Sequence, residues 1–328
     1  MQRRNFMKLT GAGALALAAP AIVSAQAGRE IRIGLITGPA HFWTHTMERF
    51  GTALEEASDG AFEVQVFPAG QLGNEADMVQ QMQSGVLQMG FLTAAEFSNR
   101  IDDVASVFAP FMVDDVDKAA QLLRGPTAGS ILDQLQGEGL VGLGFGLGGM
   151  RHMLSRRAVA EPGDLAGQRF RITPFGPLRD FYELLGVVPT PVPLPGLFDA
   201  LANRQVDGAD VDLELVWTLR LYEHAPHLTL ANHMMFPVVS VMAGRYWAGL
   251  SDDEQALISQ TMTEQIDWLF AQYSENEPVW RSQIEGTDTQ VTEVGAEFFG
   301  ETLERWSAAW EPRAPSIAAL RAEAAELG

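Results

Sequence analysis

Apolar residues recur along this chain with two periods, near 2 in short runs and near 3.6 in the stretches between them. Glu30-Ile31-Arg32-Ile33-Gly34-Leu35-Ile36 alternates and then runs apolar, as a strand entering a core does. Trp43, Met47, Phe50 and Leu54 share one helical face from Trp43 to Ala57, and Ser58-Asp59-Gly60 stops that helix. Phe62 to Phe67 returns to period two. Asn74 is placed to cap a helix from Glu75 to Gln83, which Ser84-Gly85 ends. Met89-Gly90-Phe91-Leu92, Val141 to Phe145, Arg169 to Thr173 and Asp207 to Asp212 take further strand roles. Ser251-Asp252-Asp253-Glu254 is a capping box. It opens a long helix through Leu257, Ile258, Met262, Ile266, Leu269 and Phe270, running to Trp280 or beyond. Strands that alternate with helices throughout predict the α/β class with mostly parallel strands. A length of 328 residues suffices for two domains.

The strand in Gly167-Gln168-Arg169-Phe170-Arg171-Ile172-Thr173-Pro174 carries an arginine among apolar neighbours. Burying that charge is costly unless an anion meets it, and the planar guanidinium suits a carboxylate held by two hydrogen bonds. Arg151 and the turn Glu161-Pro162-Gly163-Asp164 lie upstream.

The net charge of −20 makes nucleic acid and anionic lipid surfaces poor partners. There is no cysteine, which excludes disulfides, thiolate metal sites and a cysteine nucleophile. Arg3-Arg4-Asn5-Phe6-Met7-Lys8, an apolar stretch from Leu9 to Val23, and Ala25-Gln26-Ala27 together read as a cleavable export signal over residues 1–27, of twin-arginine type. Without a cysteine at the cleavage site the mature chain is expected free in the periplasm, not lipid-anchored.

Some motifs mislead. Gly144-Phe145-Gly146-Leu147-Gly148-Gly149 satisfies G-x-G-x-x-G, but a second short strand follows instead of a helix. These glycines therefore predict a hinge or a close-packed strand. His41 and His45 lie one helical turn apart without a third zinc ligand. No G-x-S-x-G or Walker A pattern occurs.

Pro68-Ala69-Gly70-Gln71-Leu72-Gly73-Asn74-Glu75 is followed by Gln81 to Met89, Phe108-Ala109-Pro110-Phe111, the Arg171 strand, Leu185 to Pro191, Ala200 to Gly208, and Leu228 to His233. In this order and spacing the segments resemble the extracytoplasmic solute receptors of TRAP transporters, the DctP-type family. The resemblance implies a two-lobed periplasmic binding-protein clamshell with mixed, mostly parallel sheets and a long helix spanning both lobes. Lobe I is expected over 28–148 plus 237–276, and lobe II over 149–236 plus 277–328. It further implies a monomeric receptor, not an enzyme, that needs no cofactor and hands a small carboxylate ligand to TRAP membrane permease subunits. Arg171 would grip the carboxylate and Arg151 would be a second ligand-facing arginine. Glu96 would meet ligand polar groups or that second arginine, and His41, Phe42 and Trp43 would line one wall of the cleft.

The chain departs from the family pattern in Asp207-Gly208-Ala209-Asp210-Val211-Asp212, where Val211 replaces a ligand-binding asparagine. Val211 and the loop Pro191 to Leu197 tilt the expectation toward a less hydroxylated acid than a sugar acid. Asp210 or Asp212 then either meets a ligand hydroxyl or amine, or holds a Na+ or Ca2+ bound with the ligand. The alternative is that these acids pair with Arg151, Arg204 or Arg220, or cap the next helix. Two rival functions stay open: a ligand-sensing periplasmic protein for a membrane sensor, and an exported isomerase or lyase of organic acids.

Overall fold

A computed structural model describes residues 28–327, so the export-signal segment lies outside the described residues. The strands are β1 (Arg29–Gly34), β2 (Phe62–Phe67), β3 (Met89–Thr93), β4 (Leu140–Met150), β5 (His152–Ser155), β6 (Arg169–Ile172), β7 (Val188–Pro191), β8 (Gly208–Val211), β9 (His227–Leu230), β10 (Met235–Ala243) and β11 (Gln290–Glu293). Among the described residues they form two sheets, ordered β2-β1-β3-β10-β4 and β11-β9-β5-β8-β6-β7. Each sheet with its helices is one lobe.

The sheets are mixed because the chain changes lobe. β4 ends at Met150 and β5 starts at His152, so Arg151 alone separates strands of different sheets. β5 then runs antiparallel to β8 and β9. The return from β9 to β10 takes only Ala231 to Met234, and β10 runs antiparallel to β3 and β4. The other pairings are parallel, as strand–helix alternation predicts.

Local signals place the helices. Asn74 accepts from the Asp77 amide, and Gly85 ends that helix in the left-handed region (φ 80°), where glycine has no Cβ penalty. Ser251 and Glu254 form the reciprocal capping box of Asp252–Glu285, a helix of 34 residues. It packs on β4 and on the helix Phe42–Ala57 in lobe I, and on the helix Leu213–Thr218, which follows β8 in lobe II. The glycine-rich run is part of β4, and a Cβ on Gly148 would come within 2.7 Å of the Trp43 ring. The glycines thus allow close packing.

The C-terminal segment departs from the expected division. Trp306 on the helix Glu301–Trp310 donates its indole N–H to the Pro177 carbonyl in lobe II at 2.8 Å. The helix Ser316–Glu326 instead packs on lobe I. The Ser316 amide and hydroxyl donate to Asp103 at 2.9 and 2.7 Å, and the Thr127 amide donates to Glu323 at 3.2 Å. The last helix thus belongs with lobe I, because its buried Ile317 and Leu320 find their apolar partners there.

Candidate functional site

Between the two sheets lies a cavity of about 490 Å³. Lobe I supplies Thr37, His41, Trp43, Glu75, Thr93 and Glu96; lobe II and the crossing supply Arg151, Arg171, Thr173, Pro193, Leu194 and Asp212. Asn99 of lobe I donates its side-chain N–H to the Pro174 carbonyl of lobe II at 3.0 Å, which joins the lobes at the cavity wall.

Arg171 is carried by β6, opposite Thr190 on β7 and Ala209 on β8, and is 2% exposed. Its Nε donates to the Val192 carbonyl at 2.8 Å, and Nη1 reaches the Asp210 carbonyl at 3.4 Å. Both acceptors are neutral, and among the described residues no carboxylate pairs with it. Burial and the neighbouring Arg151 lower its pKa to about 9, against the pull of Asp210 and Asp212. An anion entering the cavity would find a desolvated, uncommitted guanidinium.

Arg151 lines the same cavity, is also 2% exposed, and is fully committed. Its Nε donates to Asp210 Oδ1 at 2.6 Å, Nη1 to Asp212 Oδ2 at 3.0 Å, and Nη2 to the Asp210 carbonyl. Its guanidinium lies 4.5 Å from the Phe236 ring centroid. The other Asp210 oxygen accepts from the Tyr182 hydroxyl and lies 3.0 Å from His233 Nε2. Burial alone would raise the Asp210 pKa, but Arg151 and His233 hold it well below the usual range.

These contacts correct several expectations. Asp210 is 0% exposed, lies outside the cavity lining, and has both oxygens taken, so it meets neither ligand nor cation. Asp212 does line the cavity, but one oxygen pairs with Arg151 and the other caps Leu213–Thr218 through the Leu215 amide at 2.9 Å. Among the described residues no group of three or more acids, cysteines or histidines is placed to hold a metal ion. Arg151 is likewise turned to these two acids, and Glu96 pairs with Arg100 at 3.0 Å instead of with Arg151. Val211 is 0% exposed and outside the cavity lining, so it says nothing about ligand hydroxylation.

On the lobe I wall, Glu96 and Glu75 both face the cavity. Glu75 opens the helix Glu75–Ser84 and accepts from the Thr93 amide at 2.6 Å and hydroxyl at 2.7 Å. Burial raises its pKa to about 7, with Glu96 adding and Thr93 opposing. Burial also raises that of Glu96, against Arg100. Sequence reasoning passed over Glu75, because an acid in a first helical turn is already explained by the helix dipole.

His41 caps Phe42–Ala57, its Nδ1 accepting from the Trp43 amide at 3.1 Å, and burial lowers its pKa to about 3. Trp43 faces the cavity and anchors its indole N–H on the Leu147 carbonyl at 2.9 Å. Phe42 does not line the cavity. Its ring packs 5.6–6.0 Å from the rings of Trp268, Tyr273 and Trp280, because helical geometry turns it away from its neighbour Trp43.

Two lobes, each built on a mixed sheet, with a cavity between them and a long helix touching both, define a binding protein of the periplasmic clamshell type. Residues 33–317 match the model for bacterial extracellular solute-binding protein, family 7 (DctP), and the chain belongs to that family. Its members are transport receptors, not enzymes. A solute-binding protein of Verminephrobacter eiseniae is 30% identical over 72% of this chain and 71% of its own length. The C4-dicarboxylate-binding periplasmic protein DctP of Rhodobacter capsulatus is 26% identical over 95% and 91%. The crystal structure of a sugar acid binding protein of Advenella mimigardefordensis in complex with galactonate superposes with a TM-score of 0.87. That match has 23% identity and covers 92% of this chain and 99% of that one. Among the described residues no helix is long and apolar enough to cross a membrane.

Proposed function

We propose that this chain is a periplasmic receptor that captures one small carboxylate between its lobes through Arg171 and presents it to a TRAP permease. The observation that carries this reading is the buried guanidinium of Arg171, which faces the cavity without a counter-ion. A charge kept in that state is a standing penalty that a bound carboxylate relieves. The contacts from both lobes make closure a population shift, since ligand touching both walls favours the closed arrangement.

Charge sets the ligand class. Among the described residues the cavity lining offers one uncommitted cation, because Arg151 is neutralised by Asp210 and Asp212. The opposing lobe contributes the acid Glu75, with Glu96 beside it already paired with Arg100. A second ligand carboxylate would meet that acid, whereas hydroxyl or ammonium groups would donate to it. The favoured ligand is therefore a monocarboxylate with donor groups at its far end. A thermal-shift panel of galactonate, pantoate, an amino acid and succinate tests this. Ligand at a hundred times its dissociation constant adds about 2.7 kcal/mol of stability. The expected result is a rise in melting temperature with donor-bearing monocarboxylates and a smaller one with succinate. A response led by succinate would overturn the charge argument, and no response to any carboxylate would overturn the receptor reading.

A further inference from the structure

A molecule enclosed between two lobes must find a partner for every polar group it brings, because a donor or acceptor left dry there weakens binding. The polar side chains of this lining are mostly spent within the protein. Trp43 gives its indole N–H to the Leu147 carbonyl, and the Thr37 hydroxyl bonds that of Thr44 at 3.0 Å. His41 uses Nδ1 on the Trp43 amide, and its Nε2 lies 3.4 Å from Glu214. That acid, on the helix Leu213–Thr218, reaches across from lobe II and also accepts the Phe42 amide at 2.9 Å. The Thr93 hydroxyl donates to Glu75 and accepts the Glu96 amide at 3.3 Å. Asn74 and Asn99 are exposed, and each is already bonded, to the Asp77 amide and the Pro174 carbonyl.

Among the described residues, two buried side chains of the lining keep donors to spare. They are Arg171 and Thr173, which share one face of the lobe II wall at strand spacing. Across from them Glu75 keeps lone pairs beyond those that Thr93 uses. The surface between is carbon. Ile36, Trp43, Leu215 and Phe236 all line the cavity and are 3–8% exposed. The loop Pro193-Leu194-Pro195 of lobe II adds a further apolar side. A Cβ on Gly70 would lie 4.0 Å from the Pro195 ring, so the bare glycine turn of lobe I lets this loop approach.

We propose that the ligand is a monocarboxylate with a compact apolar body, an aromatic ring or a branched hydrocarbon, and not a polyhydroxylated chain. The proposal rests on the reading that a carboxylate binds Arg171, and it names the body that this reading leaves open. The carboxylate takes Arg171 and the Thr173 hydroxyl. The hydrocarbon lies against Trp43, Leu215, Phe236 and Leu194, and a single donor at the far end faces Glu75. A chain of hydroxyls laid along the same path would run past carbon surface and past polar groups that already have partners.

The test is calorimetric titration of the whole protein with 4-hydroxyphenylacetate, phenylacetate, phenylacetamide and galactonate. An apolar pocket disfavours one added hydroxyl by up to about a hundredfold, and galactonate brings several. Both ring acids are therefore expected to bind at least about a hundredfold tighter than galactonate. Galactonate binding as tightly as they do, or tighter, overturns the proposal and leaves the carboxylate reading standing. Phenylacetamide has the same body without the charge and is expected to bind at least about tenfold weaker than phenylacetate. Equal binding of that pair overturns the carboxylate reading and leaves the apolar body in place. Binding of none of the acids overturns both. Leu194→Asn changes a half-buried loop residue, so the fold should survive it. It is expected to narrow the preference for the ring acids over galactonate by about tenfold, and an unchanged preference overturns the contact with this loop.

Discussion

The cavity holds two arginines that the protein treats in opposite ways. Arg151 sits where the chain crosses between sheets and is closed into a network with Asp210, Asp212, Tyr182 and His233. Arg171 sits on β6, equally buried, and meets only carbonyl oxygens. Burial has the same electrostatic cost for both. The protein offsets it internally at one position and leaves it uncompensated at the other. A compensated buried charge is structural, and an uncompensated one is set aside for something absent from the fold. A buried arginine is therefore read by its partners, not by its position in a cleft.

Removing each arginine should break the comparison cleanly. Arg151→Ala leaves Asp210 and Asp212 as uncompensated buried acids, and breaking such a pair costs about 3–5 kcal/mol. The expected outcome is a large fall in unliganded melting temperature. Arg171→Met is expected to leave that temperature level or raise it, because it removes an unpaired buried charge. The pKa of Arg171, lowered to about 9, gives the sign. The folded state holds this proton less tightly than the unfolded chain, so the penalty is complete below about pH 9 and is relieved as pH rises above it. Binding moves the other way. Losing one partner of a sheltered charge pair costs about 2–5 kcal/mol, so Arg171→Met should weaken carboxylate binding by at least tenfold in calorimetry. If the two variants lose stability equally, the distinction between them fails.

This difference was half legible in the sequence. A charge in an apolar strand marked Arg171 as needing an anion, and capping signals at Asn74 and Ser251 placed two helices correctly. The acid partner of Arg151 was legible only as an alternative to a ligand or cation site. It lies 59 and 61 positions away, and β8 brings Asp210 and Asp212 to the crossing only after the second sheet has formed. The same sequence reading left both an acid–cation site and an Arg151 pair open, and only tertiary packing decides between them. Glu75 and Glu214 were hidden for another reason. Each looks like an ordinary acid near a helix start, and only tertiary geometry shows what its carboxyl meets: Thr93 of β3 for Glu75, and the Phe42 amide of the other lobe for Glu214. The final helix was placed in lobe II only through the family resemblance, and nothing local in its sequence says which lobe supplies the partners of Ile317 and Leu320.

The finest contrast lies across the cavity, between the wall of Arg171 and the wall of Glu75. If Arg171 takes the ligand carboxylate, Glu75 is left to meet what the rest of the ligand donates. Glu75→Gln keeps an oxygen for the Thr93 amide while removing the charge, so the fold should be little disturbed. A hydrogen bond to a charged group contributes about 1.5–3 kcal/mol, and the amide retains part of it. A loss of about tenfold for a hydroxy or amino acid is therefore expected, with succinate unchanged or tighter because a repelling charge is gone. In wild type, affinity for the donor-bearing acid should rise from pH 6 to pH 7.5 as Glu75 ionises near 7. The variant should lack that rise. Equal losses for succinate and the hydroxy acid would show that Glu75 supports the wall without reading the ligand, and selectivity would then rest on shape alone.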